Sequence, residues 1–112
     1  MALLQIASIK GSSMAPTFAE GDLLLFRPPW RLRPGQILLI QRSSHAGVDI
    51  PQVKRLLRVE RRIDEASPSN NTVIGYWVEG DSKELSTDSR NFGLLQREEI
   101  KGVLLFRIRR AK

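Results

Sequence analysis

The sequence predicts a small, mainly β protein: one domain of short antiparallel strands with little or no helix. Three observations carry this. The apolar segments are short and rich in branched residues. Turn residues fence nearly all of them, and no stretch shows helical periodicity over an ordinary helix length. The length of 112 residues fits a single domain, residues 1–112. A chain of that size buries roughly 65% of its unfolded surface, enough for one modest core.

The elements follow in order. Residues 1–9 read as a first strand packed on the core. Gly21-Asp22 turns into Leu23–Phe26, and Pro28-Pro29 ends that strand, since proline cannot donate to a ladder. Pro34-Gly35 introduces Ile37–Gln41, and Ser43–Gly47, with the single histidine His45, closes it as a loop. Val53–Ile63 is apolar and basic. Ser67-Pro68-Ser69-Asn70-Asn71 reads as a hairpin tip, and Val73–Glu79 returns as a strand broken by Gly80-Asp81. Residues 82–93 are polar and aperiodic; a long loop of that kind in a compact domain is often functional. Arg97–Ile100 suits one helical turn, and Val103–Arg109 reads as a last, half-exposed strand.

Composition narrows the function. With 41% hydrophobic and 27% charged residues the chain is an ordinary globular sequence. The absence of cysteine excludes disulfides, thiolate metal sites and a cysteine nucleophile. The longest apolar runs, Leu23–Phe26 and Ile37–Ile40, are far below the roughly 20 residues of a membrane-spanning helix. The first residues lack the basic start of a secretory leader, so a cytoplasmic protein without a transmembrane anchor is expected. The net charge of +6 comes mostly from arginines spread along the chain. No basic helix or ladder of aromatics accompanies them, so nucleic acid is not expected as a partner; contact with a membrane surface stays open.

Three separated fragments carry the chemistry: Gly11-Ser12-Ser13-Met14-Ala15-Pro16-Thr17, Val53-Lys54-Arg55, and Gly80-Asp81 with Ser86-Thr87-Asp88-Ser89-Arg90-Asn91-Phe92-Gly93. Ser13 sits before a turn at Ala15-Pro16, with Gly11 permitting close approach of another backbone. A serine hydroxyl attacks poorly until a base takes its proton. His45 lies in a Ser/Gly loop, which disfavours a histidine triad. A lysine serves if its amine is neutral, and burial in apolar surroundings makes it so. Lys10, Lys83, Lys101 and Lys112 fall near turns or the terminus; only Lys54 lies inside an apolar segment. Strict alternation places Lys54 opposite Val53, Leu57 and Val59, so its burial requires a bulge or a sheet covered on both faces. Ser86 is placed to hydrogen-bond the amine, and Asp88 and Arg90 to brace the loop as an ion pair.

In this order the fragments resemble the type I signal peptidase family of serine–lysine proteases: Ser13-Met14-x-Pro16-Thr17 with Gly21-Asp22, then Lys54-Arg55, then Gly80-Asp81 and Ser86-x-Asp88-Ser89-Arg90-x-x-Gly93. The resemblance implies the fold of that family's catalytic core, Ser13 as nucleophile and Lys54 as general base. It implies Ser86 orienting the amine, Asp88 and Arg90 supporting it, and an oxyanion hole from the Ser13 backbone N–H and a group at Gly11. No metal or cofactor is implied. Departures are the missing anchor segment, Ser82 in place of asparagine, and Leu56–Glu60 where relatives have a Gly-Asp turn. The brevity looks most like the soluble nickel-type superoxide dismutase maturation proteases. The expected activity is then removal of an N-terminal propeptide from a protein precursor bound as an extended strand. Membrane-associated processing of secreted precursors, a self-cleaving regulator and a non-catalytic module with the same fold remain as alternatives, and the oligomeric state stays open.

Overall fold

The computed structural model describes residues 3–43 and 49–112. Six strands form one antiparallel sheet: β1 (Gln5–Ser8), β2 (Leu23–Arg27), β3 (Ile37–Ser43), β4 (Asp49–Asp64), β5 (Ser67–Glu79) and β6 (Ile100–Arg109). Their order across the sheet is β1-β2-β6-β3-β4-β5. The only helices among the described residues are a single turn, α1 (Ser89–Phe92), and a 3-10 turn at Arg97–Glu99. The mainly β expectation holds.

The sequence pattern dictates how each strand sits. In β2, Leu24 and Phe26 point inward and their neighbours are half-buried, the alternation of a sheet with one covered face. β3 differs, because Ile37, Leu38, Leu39 and Ile40 are all buried. Ile37, Leu39 and Val53 join Met14, Phe18, Leu24 and Phe26 in one cluster. Leu38, Ile40 and Leu56 join Tyr76, Val78, Leu95, Ile100 and Val103 in another. The middle of the sheet is therefore covered on both faces. Each such fully buried aliphatic side chain contributes about 1.5–3 kcal/mol.

This double cover meets the condition set by the alternation of β4. Lys54 is paired with Leu38 and lies two residues from Leu56, so it shares the side of the second cluster. A register shift between Leu56 and Arg58 follows, leaving Leu57 exposed.

Two local expectations are corrected. The hairpin tip is Glu65-Ala66, not Ser67–Asn71: Asp64 Oδ1 accepts from the Ala66 N–H at 2.9 Å, and β5 already begins at Ser67. β4 is accordingly 16 residues long, roughly 50 Å of extended chain. The chain start is not packed throughout: among its described residues, from Leu3 on, Leu3, Leu4 and Ile6 are exposed and only Ala7 and Ile9 reach the core, while residues 1–2 lie outside the described residues. Among the described residues β1 is an edge strand paired only with β2.

The segment between β1 and β2 is fixed at several points. Met14 and Phe18 plug into the first cluster. Buried Asp22 accepts from the backbone of Ala19 and Ala111 and from Arg107, joining this segment to the end of β6. Ser13 thus rides on a loop held by its own neighbours.

Candidate active site

Lys54 is 4% exposed. Its Nζ donates to Ser86 Oγ at 2.9 Å. Burial pushes its pKa below the ordinary lysine value; the Asp88 carboxylate opposes that shift and Arg90 adds to it. No carboxylate of the described residues lies within 4 Å of the amine.

The loop after β5 builds the cradle. Ser86 Oγ accepts both from Lys54 and from the Gly80 N–H, at 3.1 Å. Both lone pairs are then engaged, and the hydroxyl also helps to hold the Asp88 carboxyl ionised. Asp88 is wholly buried. It accepts from the Gly80 N–H at 2.9 Å and from Arg90 Nε and Nη2 at 2.9 and 2.7 Å. Burial opposes its ionisation, but the Arg90 guanidinium, the Gly80 N–H and the Ser86 hydroxyl outweigh it and hold the carboxyl well below the usual range. Asp88 also caps α1, accepting from the Arg90 N–H, while Asn91 reaches back to the Asp88 N–H. Buried Ser89 accepts the Val78 N–H at 2.8 Å, which pins the helical turn to β5.

Gly80 is where the cradle meets the serine loop. A β-carbon there would lie 2.6 Å from the Ser13 carbonyl oxygen and the same distance from Ser86 Cβ. Only glycine fits. The Ser13 carbonyl accepts from the Ser82 N–H at 2.9 Å, so the backbone bearing Ser13 is bonded directly to the loop that orders Lys54. A second tie runs through Asp81. It accepts from Thr17 Oγ1 at 2.5 Å and from Arg55 Nε and Nη2, each at 2.9 Å.

Ser13 and Lys54 line one cleft of about 510 Å³, walled by β1, by residues 51–54 of β4, and by Met14, Leu39, Leu85 and Thr87. Ser13 is half-buried. Its N–H has no acceptor among the described residues. The Gly11 N–H donates to Glu20 Oε1 at 3.3 Å, and the φ of 74°, rather than a close neighbour, is what requires glycine there.

Five of the six residues singled out from the sequence (Ser13, Lys54, Ser86, Asp88 and Arg90) thus gather around one cleft and its supporting loop. Gly11 lies nearby with its N–H already engaged. His45 lies outside the described residues. Thr17, Arg55 and Asp81 were present in the motifs, but sequence reasoning gave them no role; their spacing along the chain shows no sign of the bridge they form. Among the described residues no group of three His, Cys, Asp or Glu is arranged to hold a metal. No helix among them is long and apolar enough to cross a membrane. No protein-family model and no curated protein matches this sequence.

Proposed function

We propose that the protein is a serine endopeptidase of the signal peptidase type that uses a Ser13–Lys54 dyad. The observation that carries the reading is a buried lysine, hydrogen-bonded by a hydroxyl and facing the same cleft as a serine. A neutral amine has two N–H donors and one lone pair. Ser86 takes one donor, which leaves the lone pair for the Ser13 proton.

In this scheme Lys54 accepts the Ser13 proton as Oγ bonds to the scissile carbonyl carbon. The tetrahedral oxyanion is met by the Ser13 N–H. Collapse breaks the C–N bond, Lys54 returns the proton to the departing amine, and an ester on Ser13 remains. Lys54 then deprotonates a water whose oxygen bonds to the acyl carbon; the ester C–O bond breaks, and Ser13 Oγ takes the proton back from Lys54. The substrate lies extended in the cleft between β1 and residues 51–54, where backbone pairing on a strand edge supplies affinity.

The substrate we propose is a protein precursor that loses an N-terminal propeptide in the cytoplasm, with the nickel superoxide dismutase precursor as first choice. Incubating that precursor with the protein and sequencing the product tests this. A single new N-terminus, absent with Ser13→Ala, supports the assignment. An intact precursor overturns the substrate.

Exposed Leu3, Leu4 and Ile6, the last of these on the cleft wall, favour a second reading in which processing occurs at a membrane surface. Faster cleavage of the same precursor when anionic vesicles are added would support it; an unchanged rate would dismiss it.

A further inference from the structure

A second pocket, of about 300 Å³, opens between the turn after β2 and the β4–β5 hairpin. Its walls share no residue with the cleft that holds Ser13. Along β4 it begins at Val59, five residues from Lys54, on the order of 17 Å of strand. Leu32, Val59, Val73 and Tyr76 form an apolar floor, and Arg31, Arg61 and Arg97 supply three guanidinium groups. Among the described residues none of the three arginines lies within 4 Å of a carboxylate.

The rim is also unusual. Trp30 stands 58% exposed. Arg31 has φ of 55°, a left-handed conformation that costs a non-glycine residue about 1 kcal/mol or more. This turn is braced from every side. Arg27 Nη1 donates to the carbonyls of Pro28 and Trp30 at 3.0 and 2.8 Å. The Gln36 side chain donates to the Arg31 carbonyl and accepts from the Arg33 N–H. Arg97 Nη2 donates to the Pro29 carbonyl at 2.7 Å. A rigid turn that holds an indole in water, beside guanidiniums with no carboxylate partner among the described residues, has already lost the entropy that binding otherwise costs. Tryptophan and arginine are also the residue types that dominate binding hot spots.

The geometry points to a docking site for an acidic peptide segment, with a carboxylate held by Arg31, Arg61 and Arg97 and its aliphatic neighbours on Trp30 and the apolar floor. Arginine pairs with carboxylates in a two-pronged fashion. The pocket is too small for a duplex and admits one or two side chains. This site stands apart from the chemistry at Ser13.

The test uses a capped hexapeptide of alternating glutamate and leucine, titrated against the whole chain by calorimetry at low salt. A glutamine-for-glutamate version of the peptide is the control. The glutamate peptide should bind at least tenfold more tightly than its control. Arg31→Gly suits the backbone at that φ, so thermal stability should hold or rise while affinity falls at least threefold. Arg31→Gly with Arg61→Gln should cost at least tenfold. Equal affinity for both peptides, or unchanged binding by the double variant, overturns the proposal. So does displacement of the peptide by a single-stranded oligonucleotide or anionic vesicles at lower charge concentration.

Discussion

Lys54 Nζ and Ser86 Oγ lie 2.9 Å apart although 32 residues separate them in the chain. The bond joins the middle of a strand to a loop that is itself tied down by Asp88, Gly80 and Ser89. The amine is therefore aimed by an assembly rather than by its own flexible stem, and each part of that assembly has a measurable consequence.

Ser86→Ala removes the acceptor that orients the amine. We expect kcat for peptide cleavage to fall about 10²-fold with little change in KM, the loss typical when a general base is misaimed. Steady-state kinetics on one peptide substrate decide it. A rise in KM alone would place Ser86 in substrate binding instead.

Activity should rise with pH through the lowered pKa of Lys54 and level off below the ordinary lysine value, because the base must be deprotonated. Stability follows the same group. With a folded pKa depressed below the unfolded 10.5, the unfolded chain binds more protons, so stability rises with pH up to about that value. Lys54→Met removes this slope. It should therefore stabilise the fold most at low pH, and less as pH approaches 10.5. Denaturant melts at three pH values would show a constant difference if the lysine were not penalised by burial.

Gly80→Ala brings a β-carbon against the Ser13 carbonyl and the Ser86 side chain. Activity should drop more than 10²-fold, because a misplacement of about 1 Å near the chemistry has that effect. Near-wild-type turnover would mean that the serine and lysine loops are not packed against each other.

Asp88→Asn leaves Arg90 and the Gly80 N–H with a weaker partner. At neutral pH a loss of about 2 kcal/mol is expected, discounted for the partial exposure of Arg90. Asp88 is held below 3.8, so its contribution is complete above that pH and is lost as pH falls through its folded value. The variant's urea midpoint should accordingly converge on that of the parent in acid. Parallel curves down to pH 2 would remove Asp88 from the stability of the loop.

Much of this was legible in the sequence. Leu24 and Phe26, fenced by Gly21-Asp22 and Pro28-Pro29, determine β2 by local chemistry alone. The grouping of Ser13, Lys54, Ser86, Asp88 and Arg90 came from motif order. What escaped was non-local. The alternation in β4 gave the side on which Lys54 lies but not the loop that meets its amine there, where Ser86 is held by Gly80 and Asp88 far along the chain. The tip falls at Glu65-Ala66, where Asp64 accepts from the Ala66 N–H, although Ser67–Asn71 has the stronger turn composition. The Thr17–Asp81–Arg55 bridge spans 64 residues from Thr17 to Asp81 and has no local signature.

The most direct measurement is labelling by a serine-directed acylating probe, followed by mass spectrometry of the intact chain and its peptides. A nucleophile activated by Lys54 predicts one adduct, on Ser13, formed faster as pH rises and nearly abolished in Lys54→Met. No adduct on Ser13, or an adduct formed equally fast without the lysine, would contradict the dyad.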